Sequence, residues 1–243
     1  MGFSSAGSWA IEMEQRVRRI RDAEGARQAI LAAAEEHFAN HGFSGARIEA
    51  IAESSGYNKS MIFHYFIDKL GLYRAVVKYA KVDQEGHFAQ TIMPLIENEE
   101  TELTPALVRN ILEEAVRYSF DRMLASPNLR RILAWEAAEG WQTFRLTDPS
   151  HAMQSRQRAI TRFLQRAQAL GILRAEIDPQ LLMVYVLGLV FAHLISLPRY
   201  ELLFPDEDFT SEQALERART YLVQLVLHGT MQPFSEAIET HGV

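Results

Sequence analysis

The sequence predicts an all-α protein of about nine helices. Three observations carry this. Apolar residues recur at three-and-four spacing along most of the chain. No stretch shows the sustained alternation of a strand. The 13 glycines and 8 prolines are thinly spread, and several prolines stand where a helix would open. Hydrophobic residues fill 48% of the 243 positions, enough for a substantial core.

Residues 1–10 (MGFSSAGSWA) read as a flexible tail. The next dozen carry Arg16, Arg18, Arg19 and Arg21. They extend the first helix or form a basic arm that touches phosphates or the minor groove, so 1–23 is taken as a flexible basic N-terminal arm. The first core helix is expected over Glu24–Asn40, with Ala26, Ile30, Ala33, Ala34, His37 and Phe38 as its buried stripe and Gly42 as its stop. A second follows at about Arg47–Ser54 and a third at about Asn58–His64, where Asn58 is a good N-cap. Ile48, Ile51 and Ala52 share a face of the second; Ile62, Tyr65 and Phe66 share a face of the third. Ser54-Ser55-Gly56 separates the two, and Gly56 tolerates the positive φ that so tight a turn requires. Lys59, Ser60, Phe63 and His64 then point outward. Asp68 opens a fourth helix, continuing to about Phe88.

An acidic linker, IENEETELT, follows Pro94. Thr104-Pro105 reads as N-cap and first helical residue. Helices are expected at about 105–125, 127–140, 149–170 (closed by Gly171) and 178–197 (opened by Asp178-Pro179). PRYELLFPDEDF reads as a loop, and a last helix spans about 211–228. The uncharged run LLMVYVLGLVFAHLISL is seventeen residues long, at the lower edge of a membrane span, and has no basic flank. It reads as a helix covered by protein on every side, and no membrane association is expected.

From Arg27 to Tyr73 the chain reads RQAILAAAEEHFANHGFSGARIEAIAESSGYNKSMIFHYFIDKLGLY. This run, with AILAAAEEHF, the HGF turn, IEAIAESSGYNKSMIFHYF and DKLGLY in order, closely resembles the amino-terminal DNA-binding domain of the TetR family of transcriptional regulators. The resemblance covers roughly the first third of the chain. It implies a helix-turn-helix DNA-binding domain over 24–72 and a helical ligand-binding and dimerisation domain over 73–243. It further implies a homodimer on an inverted-repeat operator in double-stranded DNA, one recognition helix per half-site. Residues 178–197 and 211–228 would build the dimer interface. A small molecule in the second domain would favour the DNA-incompetent state.

Carried over residue by residue, Lys59 and Ser60 hold recognition-helix positions that meet DNA. Met61 stands where a small polar residue is common; it can touch a thymine methyl but cannot donate a hydrogen bond. Phe63 replaces a frequent Tyr and loses its hydroxyl. His64 and Tyr65 complete the aromatic triplet, and Lys69 matches a phosphate-contacting Lys. Leu70 replaces a common acidic residue. Ala46 cannot cap the second helix as a Thr or Ser there would, and Arg47 offers a charged phosphate contact instead. With Asn58, these give the DNA-binding set Arg47, Asn58, Lys59, Ser60, Met61, Phe63, His64, Tyr65 and Lys69.

For the ligand, Phe88, Tyr118, Met123, Trp135, Trp141, Phe144, Tyr185 and His193 are the candidate lining. Their aromatic character points to an apolar or planar effector, with Arg122, Glu136 and Glu139 as polar anchors or plain surface. Aromatic and Met residues at helical spacing also serve as ordinary core.

The net charge of −6 conceals an asymmetry: residues 1–80 hold ten Lys/Arg against nine Asp/Glu, and 81–243 hold fifteen against twenty-two. The acidic excess lies outside the expected DNA-binding part. No cysteine is present, so disulfides and thiol catalysis are excluded. No GxSxG, GxGxxG, HExxH or phosphate loop occurs; no cofactor and no enzymatic activity are expected. His37 and His41, four apart on one helix, read as packing and capping rather than a metal pair. The opening residues hold no apolar leader, so a cytoplasmic location is expected. The sequence thus reads as a repressor released by a ligand. The alternatives are an activator or protein-responsive regulator with the same DNA domain, or a helical small-molecule-binding protein or enzyme with a vestigial helix-turn-helix.

Overall fold

The structure, a computed structural model, describes residues 5–82, 88–146 and 151–232, with side chains over 22–78, 88–146 and 154–232. Among them are twelve α-helices and no strand: α1 (Ser5–Gly45), α2 (Ile48–Ser55), α3 (Lys59–Phe66), α4 (Lys69–Val82), α5 (Met93–Glu97), α6 (Pro105–Leu124), α7 (Pro127–Ala138), α8 (Gln142–Arg145), α9 (His151–Ala169), α10 (Pro179–Ile195), α11 (Leu197–Leu203) and α12 (Glu212–Thr230). A π-helical turn, Phe88–Ile92, leads into α5. The three helices beyond the expected nine are α5, α8 and α11, each seven residues or fewer. Fewer than two turns leave no readable apolar period. Part of the expected PRYELLFPDEDF loop is therefore α11, restarted by Pro198 in its first turn.

The first helix begins at Ser5 rather than Glu24. Residues 5–23 contain no proline, and eleven of the nineteen are Ala, Glu, Gln, Met or Arg, all good helix formers. Helix thus replaces the expected tail from Ser5, and of the two readings of the next dozen residues, they extend the first helix. The side chains of Arg16, Arg18, Arg19 and Arg21 lie outside the described residues, as do residues 83–87 of the expected fourth helix.

The chain forms two compact units, Met1–Asp83 with Pro127–Asp148 and Gln84–Ser126 with Pro149–Val243. The first is built on Ile30, Ala34 and Phe38 of α1, Ile51 of α2, Ile62 of α3, Leu72, Tyr73 and Val76 of α4 and Ile132 of α7, all buried. Phe38 meets Tyr73 edge to face, centroids 5.0 Å apart at 89°. Such a pair adds about 1 kcal/mol beyond burial. α1 breaks at Gly42, whose φ of 66° and ψ of −179° suit glycine alone. The Trp135 ring of α7 lies against that glycine, 3.1–3.3 Å from where a Cβ would stand, and its indole N–H donates to the Ala39 carbonyl at 3.2 Å. A carbonyl left over at the helix end is thereby satisfied.

The second unit packs Val108, Ile111, Leu112, Val116 and Phe120 of α6 with Phe163 and Leu164 of α9, Val190 and Leu194 of α10, and Leu222, Val223 and Val226 of α12. Its helix starts follow the sequence closely. The Thr104 hydroxyl accepts from Leu107 N–H at 3.2 Å, Asp178 Oδ1 from Gln180 and Leu181 N–H at 2.7 and 3.1 Å, and the Ser211 hydroxyl from Ala214 N–H at 3.3 Å. Arg174 closes the far end of α12 by donating to the Met231 and His228 carbonyls at 3.2 and 3.3 Å.

Within one copy α10 is covered on one side only. Only Val190 and Leu194 are buried, while Leu181, Val184, Tyr185, Leu187 and Leu189 are exposed. Tyr221 and Leu225 of α12 are exposed too. No single described helix is long and apolar enough to cross a membrane; α10 and α11 pass that test only jointly, across a 57° bend.

Candidate nucleic-acid interface

The turn between α2 and α3 is closed by backbone bonds, with the Ser55 hydroxyl also donating to the Ala52 carbonyl at 3.1 Å. Tyr57 N–H donates to the Ala52 carbonyl at 3.1 Å and Gly56 N–H to the Glu53 carbonyl at 3.3 Å, the paired bonds of a Schellman motif, with Gly56 at φ 75°. Two residues later Asn58 caps α3, its Oδ1 accepting from Met61 N–H at 2.9 Å. Burial of Ile62 and Phe66 fixes the rotation of α3. Lys59, Ser60, Met61, Phe63 and His64 are consequently exposed on one side, and Tyr65 is half-buried with its ring 5.5 Å from that of His64. An eight-residue helix with this much exposed side chain has the dimensions that a major groove admits.

The cations of this face are not equally free. Arg47 is exposed at the head of α2, and its side chain makes no capping bond. Lys59 is ion-paired across the turn with Glu49 of α2, and the hydrogen bond from Lys59 holds the Glu49 carboxyl below the usual range. Lys69 lies 4.8 Å above the Phe43 ring and donates to the Ser44 carbonyl at 3.4 Å. Burial pushes its ammonium down, against the opposing pull of Glu139 and Glu49.

The link from α3 to α4 is strained. Ile67 is exposed at φ 69° and ψ −59°, a γ-turn in which Asp68 N–H reaches the Phe66 carbonyl at 2.7 Å. Asp68 Oδ1 then accepts from Gly71 N–H at 2.6 Å to start α4. The importance of Glu49 and Gly71 escapes sequence reading, because each rests on a contact with another helix or turn.

The eight ligand candidates divide between the two units. Trp135 closes the end of α1, as described. Trp141 and Phe144 stack edge to face, centroids 5.6 Å apart, beside the helix-turn-helix core. In the second unit Phe88 lies flat on Tyr118 at 4.7 Å, and Met123 packs on the core. Tyr185 is exposed on α10. His193 sits between Phe120 and Tyr200, ring centroids 5.9 and 5.5 Å away. Glu136, read from sequence as a polar anchor or surface residue, is neither: it is 1% exposed and bonded inside the first unit. His37 is engaged with the Ser54 hydroxyl at 2.8 Å.

Burial holds the His193 imidazole below its ordinary value of 6.5, and its Nε2 is buried without a partner among the described residues. A depressed folded-state value means stability present above pH 6.5 and lost as pH falls through the folded value. Thermal melts between pH 7.5 and 5 should thus show a declining midpoint, and His193→Gln should flatten the decline. Parallel curves would assign it to other groups.

Two family profiles match this chain. One, described as bacterial regulatory proteins, tetR family, covers residues 30–76. The other, described as tetracyclin repressor-like, C-terminal domain, covers 109–226. Together they span about two thirds of the sequence. The chain belongs to the TetR family. Its curated relatives include the regulator RutR of Escherichia coli, 41% identical over 61 residues, which are 25% of this chain and 29% of that protein. The chain thus spans about three tenths of the length of the relatives it matches first. NicS of Pseudomonas putida, a transcriptional repressor, is 25% identical across 87% of this chain and 95% of its own. Among solved structures, a Streptomyces coelicolor protein described as a transcriptional regulator, SCO4942, superposes with a TM-score of 0.59. It is 24% identical over 86% of this chain and 99% of that one. SmeT, the repressor of the Stenotrophomonas maltophilia efflux pump SmeDEF, gives 0.52 at 20% identity, over 86% and 91%. Both show the fold.

Within the TetR family pattern, this chain's departures have local causes. Ala46 is 2% exposed, so that position faces the core and cannot reach a phosphate. Arg47, beside it, projects outward. Phe63 and Met61 leave apolar surface, not hydroxyls, on the outward face of α3.

Proposed function

We propose that this protein is a homodimeric transcriptional repressor that binds an inverted-repeat operator and leaves it on binding a small apolar or aromatic molecule. The observation that carries the DNA-binding part is the outward row Lys59, Ser60, Met61, Phe63 and His64 on a helix fixed by the Asn58 cap and the Gly56 turn. A helix kept only for packing would have no use for that row. Arg47 and Lys69 flank it as phosphate contacts, and Tyr65 supports it. In this reading Phe63 and Met61 read thymine methyls, and Lys59 reads guanine or phosphate. The exposed apolar faces of α10 and α12 support dimerisation through about 178–197 and 211–228, since two copies would cover them mutually. The Phe88–Tyr118 stack, Met123 and His193 support an effector site in the second unit, acting in the cytoplasm where the DNA is. Repression rather than activation follows the relatives described as repressors.

The test is selection of bound duplexes from a random pool by the purified protein, beside Lys59→Ala. An enriched inverted repeat, bound about tenfold more weakly by the variant, is expected. No enrichment at low salt by an intact dimer would overturn the reading and favour a helical ligand-binding protein.

A further inference from the structure

Paired with Lys59 in the helix-turn-helix stands a carboxylate that the family comparison does not assign. Glu49 lies on α2, one residue beyond its start, and is exposed. It is ion-paired with Lys59, although both side chains remain half or more exposed, at 62% and 50%. Its charge also acts on Arg47 and on Lys69. Of the cations assigned above to DNA, Lys59 thus already holds an intramolecular anion in direct contact.

We propose that Glu49 is a specificity-determining residue, which holds Lys59 off non-cognate DNA and reads a cytosine in the operator. The inference rests on the DNA-binding reading of this site. A phosphate offered to Lys59 must displace a carboxylate already in place. That carboxylate then faces the negative backbone with its partner removed. Non-cognate duplex offers Lys59 a phosphate or a guanine without a cytosine amino group placed for Glu49, so the exchange gains little. A cognate half-site offers a second gain. An ionised carboxylate only accepts hydrogen bonds and so requires a donor, and the cytosine N4 amino group is its usual base-edge partner in the major groove. With Lys59 on a guanine O6 and N7 and Glu49 on a cytosine amino group, both members of the pair are satisfied. Glu49 therefore weakens binding to non-cognate duplex and is compensated at the operator.

The experiment compares the full chain with Glu49→Gln, on the duplex selected by the unmodified protein and on random-sequence duplex, over a salt series. Glutamine keeps the size and removes the charge, and the side chain is exposed, so equal melting midpoints check folding. Expected is about tenfold tighter binding of random duplex at low salt, with a slope of log affinity on log salt steeper by about 1, because an unpaired Lys59 neutralises one more phosphate. The operator-to-random ratio falls about tenfold, and duplexes selected by the variant lose a cytosine preference in each half-site. In Lys59→Met protein most of the gain from Glu49→Gln disappears. An unchanged slope and an unchanged ratio would overturn the proposal and leave an ordinary surface ion pair. Should the unmodified chain select no repeat, the regulator reading falls separately. The random-duplex comparison still decides Glu49 then, because equal binding of both proteins refutes it.

Discussion

Gly71→Ala should destabilise the helix-turn-helix unit by about 3 kcal/mol and abolish the DNA binding proposed for it, although in an ordinary helix the same change is favourable. A Cβ built on Gly71 would stand 2.0 Å from the Phe66 carbonyl oxygen, 3.2 Å from its carbon and 3.3 Å from Asp68 Oδ1. The first atom is backbone, so no rotamer relieves the clash. Relief would require opening the γ-turn at Ile67 or losing the Asp68 bond to Gly71 N–H, and these two set where α3 ends and α4 begins. The fault therefore reaches the recognition helix directly. Gly25→Ala is the internal control. Gly25 is exposed in α1 with nothing within 4 Å of its would-be Cβ, so alanine there should stabilise by about 0.5–1 kcal/mol. Thermal melts of the two variants should move in opposite directions. A stable, fully DNA-binding Gly71→Ala protein would mean that the close approach is not required.

Some of this architecture was readable from the chain, for physical reasons. Asn58, Thr104, Asp178 and Ser211 cap helices through bonds to neighbours two or three residues away, so residue type and position suffice to find them. Gly56 likewise declares a left-handed residue. The outward face of α3 follows from periodicity once Ile62 and Phe66 are placed inside. Other features depend on partners far along the chain. Nothing near Trp135 in sequence says that it covers Gly42, nor does anything near Glu136 say that it is buried beneath α4. Those two were read as ligand lining and polar anchor because local pattern marks aromatic and charged residues without saying what they face. α10 was read as covered, by protein or by the dimer interface that the resemblance implies; its apolar composition alone does not distinguish burial within one copy from a face left for another.

The largest stability effect expected from a polar substitution lies at Glu136. Its Oε1 accepts from the Tyr73 hydroxyl at 2.7 Å and its Oε2 from Phe144 N–H at 3.1 Å, joining α4, α7 and α8. Tyr73 is 1% exposed, and burial first, then this bond, drives its phenol far above the ordinary range. Glu136→Leu strands a buried hydroxyl and a backbone N–H and should cost about 3 kcal/mol. Tyr73→Phe leaves Oε1 without its donor and should cost about 2 kcal/mol. The double variant should cost less than the two together by about 1–2 kcal/mol, because removing both partners leaves no hydroxyl–carboxyl pair to be half-satisfied. Denaturant melts of the four proteins measure this coupling. Strict additivity would show that water or a shifted neighbour serves each group equally well, and that the buried bond does not tie α4 to α7. A coupling of the expected size would make the 127–148 segment, distant in sequence, part of what holds α4 in place behind the recognition helix.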